Sequence, residues 1–188
     1  MVIQLAFFIM VQTIQILDKT FKPYLSEELI QERIAMLAKE IEEDYKNKEV
    51  HFICVLNGSL FFASDLIKEY RYICQLHTVR CKSYVGTKSS GTITMIQDFN
   101  EEIKGKEVIL LEDIIDTGHT LNFLLERIKL YHPKTVKIAS LLAKPDALQH
   151  PIEVDYLGFQ IPNLFVLGYG LDYNGYGRNL KDIYQLAQ

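Results

Sequence analysis

A chain of 188 residues supports one full hydrophobic core and is too short for a second to be expected. Its 48% apolar and 23% charged residues are those of an ordinary globular protein, which excludes fibrous and disordered classes. A net charge of −4 gives no reason to expect a nucleic-acid surface. The three cysteines, Cys54, Cys74 and Cys81, form no framework of even pairs, so reduced thiols in a cytoplasm are expected.

In chain order, the first run, MVIQLAFFIMVQTIQIL, is too short to span a bilayer and lacks the basic start and cleavage site of a signal peptide. Residues 1–9 are expected to be an extension ahead of an ordinary start at Met10, or a strand packing on a neighbour. Ser26 is placed as a helix N-cap with Glu27 and Glu28 in the first turn. Apolar residues then recur at helical spacing from Leu29 to Ile41, ending near Tyr45. VHFICVL (50–56) is a continuous apolar run, as in a strand covered on both faces, and Asn57-Gly58-Ser59 turns it into a second helix. YICQLHTVRCKSYV predicts the next strand, on which Cys74 faces away from His77 and Cys81, so no zinc site is expected there. The glycines and small polar residues of GTKSSGT (86–92) predict a loop. A strand over 107–112, a helix from Thr120 to Tyr131, and strands over 135–144 and 163–169 complete the series. Alternating strands and helices predict an α/β domain with a mostly parallel sheet, whose ligands bind beyond the carboxyl ends of the strands.

The most informative stretch is VILLEDIIDTGHT (108–120). Glu112 and Asp113 are two adjacent carboxylates at the end of a core strand, and an unpartnered buried charge costs several kcal/mol or shifts its pKa. Sugar hydroxyls, or a hydrated Mg²⁺ carrying them, would satisfy both. Asp116, Thr117, Gly118, His119 and Thr120 bring backbone N–H groups, two hydroxyls and a helix N-terminus together, the ingredients of a phosphate cradle. Acids for a diol beside a nest for a phosphate fit a ribose 5-phosphate. The competing reading is that Asp116 or Thr117 merely caps the helix and the acids are solvated.

The whole string resembles the phosphoribosyl-pyrophosphate motif of the type I phosphoribosyltransferases, in detail their hypoxanthine–guanine branch. VLNGSLFFASDL is similar to that family's pyrophosphate loop, CKSYVGTKSSG to its mobile catalytic loop, and LLAKPDA and IPNLFVLGYGLDYNGYGRNL to its purine-binding segments. The resemblance covers the chain from about residue 15. It implies one transferase domain over 1–188, with a mostly parallel twisted sheet flanked by helices and a small hood built from the two ends of the chain.

It also implies roles. Glu112 and Asp113 would hold the ribose hydroxyls with Mg²⁺, and Asp116 to Thr120 the 5-phosphate, Asp116 doubling as general base. Lys144 would read the purine 6-oxo group, Phe165 stack on the base, and Val166 offer backbone groups to its edge. Asp172 is expected at the purine site and on a second metal, and Arg178 on pyrophosphate. Leu56, Asn57 and Gly58 would form a loop with a cis non-proline peptide; relatives often carry lysine where Asn57 stands. Ser83 and Tyr84 would begin the lid. Taken singly, Lys144 reads as a surface lysine and Phe165 as a core residue. The implied reaction is phosphoribosyl transfer from phosphoribosyl pyrophosphate to hypoxanthine, with guanine as a second base, in a cytoplasmic homodimer or homotetramer. The sequence does not rank hypoxanthine, guanine and xanthine. A regulator that kept the fold and binds RNA is the rival of another class, and the acidic balance weighs against it.

Overall fold

The computed structural model describes residues 13–86 and 89–187, with backbone alone for 83–86 and 89–92. A short hairpin, β1 (Ile14–Ile16) and β2 (Lys19–Leu25), leads into α1 (Glu27–Asp44). β3 (Val50–Leu56), α2 (Leu60–Glu69), β4 (Cys74–Gly86) and β5 (Ser89–Gln97) follow. Then come β6 (Glu107–Ile115), α3 (His119–Lys129), β7 (Thr135–Ala143), β8 (Tyr156–Gln160), β9 (Val166–Leu167) and β10 (Ile183–Leu186).

The central sheet runs β5-β4-β3-β6-β7-β8, parallel throughout except for the antiparallel edge strand β5. The chain moves outward from β3 to β4 on one side and from β6 to β7 on the other. The order therefore reverses between β3 and β6, the position at which open α/β sheets bind ligands. Successive residues of β3 feed opposite faces. Phe52 and Cys54 join α1 and α2 in one core, while Ile53 and Val55 join α3 in the other. This double burial is why the strand is apolar along its whole length. Ser26 caps α1, its Oγ accepting from the Leu29 N–H at 3.4 Å, and Tyr45 closes the helix.

A second sheet, β1-β2-β10-β9, is antiparallel and joins the two ends of the described chain into the hood. Four elements differ from the sequence reading. β6 continues to Ile115, because β7 keeps pairing with it through Ile115↔Ala143. The strand expected over 163–169 is two residues long, since Gly168, Tyr169 and Gly170 all take positive φ. The loop expected over 86–92 is mostly hairpin: Gly86 pairs with Ser89 and Tyr84 with Thr92, while Thr87 and Lys88 lie outside the described residues. Finally, α3 spans His119–Lys129. Residues 1–12, including the expected extension, are likewise outside the description. Among the described residues no helix is long and apolar enough to cross a membrane.

Candidate active site

The site begins where pairing is lost. β3 pairs with β6 only as far as Cys54↔Leu111, so the β3-side edge of β6 is open from Glu112 onward. Into that opening comes the turn after β3, whose Leu56–Asn57 peptide is cis, as the resemblance implies. Gly58 packs against the second acid: a Cβ there would stand 1.6 Å from Asp113 Oδ2. No other residue type leaves room for that carboxylate.

Glu112 is only 8% exposed, and its Oε2 has no hydrogen-bond partner among the described residues. Burial, then the adjacent Asp113 charge, hold its carboxyl well above the ordinary range. Burial also pushes Asp113 up to about 6, against the pull of backbone N–H groups and of Arg178. The two acids are not on one surface. Glu112 lines a small cavity with Asp116 to Gly118 and Thr120, whereas Asp113 lines another with Lys144, Phe165, Val166 and Asp172. Asp116 borders both.

The first of these lies where the sequence reading placed a cradle. Gly118, not Asp116 or Thr117, occupies the N-cap position of α3, with φ +82° and no side chain to offer the helix. The N-terminal amides of α3 are left to a ligand apart from a long 3.4 Å contact of the His119 N–H with Thr117 Oγ1.

The second is an open cavity of about 270 Å³ at the carboxyl ends of β6 and β7. Lys144 is 6% exposed, so it is no surface lysine, and its Nζ donates to Asp116 Oδ2 at 2.7 Å. Phe165 is 45% exposed and borders the cavity, which removes it from the core; the ring is steadied edge-on by Tyr173 at 5.7 Å. Val166 is buried and held by β10. Asp172 is fastened from two sides, accepting from the Gly175 N–H at 2.6 Å and pairing with Arg178. Arg178 also donates to the Gly170 carbonyl at 2.6 Å. Both of its bonds are thus internal in this state. Gly170 in turn approaches the turn after β3, its Cβ position lying 2.1 Å from the Gly58 carbonyl oxygen. The side chains of Ser83 and Tyr84 lie outside the described residues.

Sequence reasoning missed two supports. The Tyr169 hydroxyl donates to Asp65 Oδ2 at 2.6 Å, and Gln31 donates to the same oxygen at 2.8 Å, tying the segment after β9 to α1 and α2. Burial, then this bond, push the Tyr169 phenol far above its usual range. The glycines on either side of Tyr169 were the available signal. The second support, the segment 148–152 whose Ile152 Cδ1 lies 2.6 Å from the Gly118 Cβ position, gave no signal.

A family model, the phosphoribosyl transferase domain, matches residues 22–174. The chain belongs to the phosphoribosyl transferase family. The hypoxanthine-guanine phosphoribosyltransferase of Aquifex aeolicus (strain VF5) is 37% identical over 174 residues, 92% of this chain and 98% of that one. A bifunctional TilS/HprT protein of Listeria innocua serovar 6a is 41% identical over 163 residues, 86% of this chain but 25% of its own length. This chain therefore spans about a quarter of that relative. Among solved structures, a hypoxanthine-guanine phosphoribosyltransferase (hpt-2) from Bacillus anthracis str. 'Ames Ancestor' superposes with a TM-score of 0.83 at 38% identity, covering 88% of this chain and 98% of that one. The match from residue 22 to 174 takes in every phosphoribosyl transferase motif named from the sequence up to Asp172. It stops short of Arg178.

Proposed function

We propose that this chain transfers the 5-phosphoribosyl group of phosphoribosyl pyrophosphate to hypoxanthine, and to guanine as a second base, giving the nucleotide and pyrophosphate. The observation that carries the reading is one cavity combining a buried Lys144 ammonium, the Asp116 carboxylate it contacts at 2.7 Å, and an exposed Phe165 ring. An ammonium offers only donors, so it suits an oxygen at purine carbon 6. Phe165 offers the base a flat apolar face. Entry of the base redirects Lys144 from Asp116 to that oxygen. Asp116 is then free to accept the proton of one imidazole nitrogen while the other attacks the sugar. The uncapped start of α3, beyond Gly118, is suited to the 5-phosphate.

Mg²⁺ fits the acids that remain. Among the described residues no three His, Cys, Asp or Glu side chains converge on an ion. Mg²⁺ does not require this, because it keeps several waters and takes one or two carboxylates plus substrate phosphates. The orphaned Glu112 Oε2, with Asp113 and Asp172, supplies such carboxylates. When bound, the ion would neutralise charge growing on the departing pyrophosphate. The chain's own contribution on that side is the turn 56–58 and Arg178, released from Asp172. We assign the cytoplasm as its compartment, a homodimer or homotetramer as its assembly, and residues 83–92 as the lid that excludes water.

The test is nucleotide formation from phosphoribosyl pyrophosphate, Mg²⁺ and each of hypoxanthine, guanine, xanthine and adenine. Turnover of hypoxanthine is expected, and absence of any nucleotide with all four bases overturns the reading.

A further inference from the structure

Gly168, Tyr169 and Gly170 take φ of +103°, +49° and +97°. Glycine adopts such angles readily and a bulky L side chain rarely does, so Tyr169 occupies the strained place. Contacts beyond the backbone must hold a tyrosine there. Its ring is buried, and its hydroxyl donates to Asp65 Oδ2 on α2, the oxygen that also accepts from Gln31 on α1. Burial raises the Asp65 carboxyl, but the bonds from Tyr169, Gln31 and Lys68 outweigh it and hold it below its usual value. The phenol therefore donates to a carboxylate, one of the stronger classes of hydrogen bond.

This bond lies at a seam between two parts of the site. Phe165 and Val166 before Tyr169, and Leu171 and Asp172 after it, line the cavity assigned to the purine. Asp65 is on α2, which starts at Leu60, directly after the turn assigned to pyrophosphate. Across the seam the Gly170 Cβ position lies 2.1 Å from the Gly58 carbonyl oxygen, and the ring centroids of Phe61 and Tyr169 are 6.2 Å apart. Among the described residues, the other hydrogen bonds of residues 165–172 stay within residues 165–186. The Tyr169 hydroxyl is thus the polar fastening between the segment that lines the cavity and the helices that flank the central sheet.

We propose that Tyr169, acting through Asp65, is a positioning residue for the purine: its hydroxyl holds the segment 165–172 against α2 and in register with the turn 56–58. This rests on the assignment of the cavity to the purine. Without the bond the segment spends part of its time out of place, and apparent affinity for the base falls with the fraction in place. Glu112 and the loop assigned to the 5-phosphate line the other cavity, which Tyr169 does not border, so donor binding is less affected.

The experiment is steady-state assay of the full chain with Mg²⁺, varying hypoxanthine and phosphoribosyl pyrophosphate in turn. Tyr169→Phe removes the hydroxyl and keeps the ring. Its KM for hypoxanthine should rise about threefold to tenfold, while kcat and KM for phosphoribosyl pyrophosphate change by less than about twofold. Asp65→Ala should reproduce that pattern. Asp65→Asn, whose amide oxygen still accepts from the phenol, should keep a hypoxanthine KM within about twofold of the parent. Combining Tyr169→Phe with Asp65→Ala should add less than about twofold to either single change, since both break one contact. A purely structural role would lower kcat with the folded fraction and leave both KM values unchanged. An unchanged hypoxanthine KM in Tyr169→Phe, or an Asp65→Asn no better than Asp65→Ala, overturns this inference and leaves the purine assignment standing. Should Tyr169→Phe not fold, the two Asp65 variants decide by the same KM. Absence of turnover in the parent with hypoxanthine, guanine, xanthine and adenine overturns the purine assignment and this inference together.

Discussion

Asp116 and Lys144 are 28 positions apart and meet at 2.7 Å, so the group assigned as base is neutralised by the group assigned to select the purine. Free enzyme and purine complex therefore differ in the partner of one buried cation. Asp116→Asn retains an acceptor for Lys144 but cannot take a proton. Its kcat should fall by about 10²–10⁴-fold with little change in thermal stability, and steady-state assays beside a melting curve check both. Turnover within threefold of the parent would remove Asp116 from the base role. Glu112 poses the opposite balance, a buried carboxylate with one unpartnered oxygen beside a second acid. In metal-free protein at pH 7, Glu112→Gln should raise Tm by about 2–4 °C, or about 1 kcal/mol for a chain of this size, while lowering activity. A lower Tm would mean that the carboxylate is satisfied in the folded protein. The identities of these acids were legible from their position after a core strand. Their separation onto two cavities was not, because it depends on β6 continuing past them as pleated strand.

At the scale of elements, the loop assigned to the 5-phosphate is shaped by Gly118, which adopts φ +82°, and by the segment 148–152 packed against it. Gly118→Ala must strain the backbone by about 1–2 kcal/mol and displace Ile152. KM for phosphoribosyl pyrophosphate is expected to rise about tenfold or more with the base KM less affected, measured by varying each substrate in turn. Away from the site, Arg127 on α3 pairs with Asp98, just beyond β5, and holds the Asp98 carboxyl below its usual value. A lowered folded-state pKa gives a contribution that is full above the unfolded value of about 4 and is lost as pH falls through the folded value. The Tm gap between the parent and Asp98→Asn should therefore be present at pH 7 and narrow as the pH falls below about 4. A gap independent of pH would show that the pair acts through packing. Elements with a complete local pattern, α1 with its serine cap and β3 with its apolar run, were readable in advance. β5 and β8 were not: they are edge strands of mixed composition, fixed by their neighbours rather than by a pattern of their own.

For the whole molecule, the cavity assigned to the purine is completed by Phe165, Val166, Leu171 and Asp172, which line it with Asp113, Asp116 and Lys144. Its selectivity should follow from Lys144. Adenine sets an amino group against the ammonium and offers it no acceptor to exchange for Asp116, a mismatch that costs about 10⁴-fold or more in kcat/KM. Hypoxanthine is expected to exceed adenine by that margin, and Lys144→Ala to erode hypoxanthine use far more than donor binding. Comparable kcat/KM for the two bases would sink the lysine assignment. The sequence by itself determined the alternation of buried strands and amphipathic helices and the motif strings that mark a phosphoribosyl transferase, because both are written in local periodicity and in short runs of neighbouring residues. Tertiary structure alone decided that β1, β2, β9 and β10 close into a hood, that Lys144 reaches Asp116, and that Tyr169 reaches Asp65. Each of those joins residues far apart in the chain through the hydrogen bonds and packing of the folded state, for which no local pattern exists.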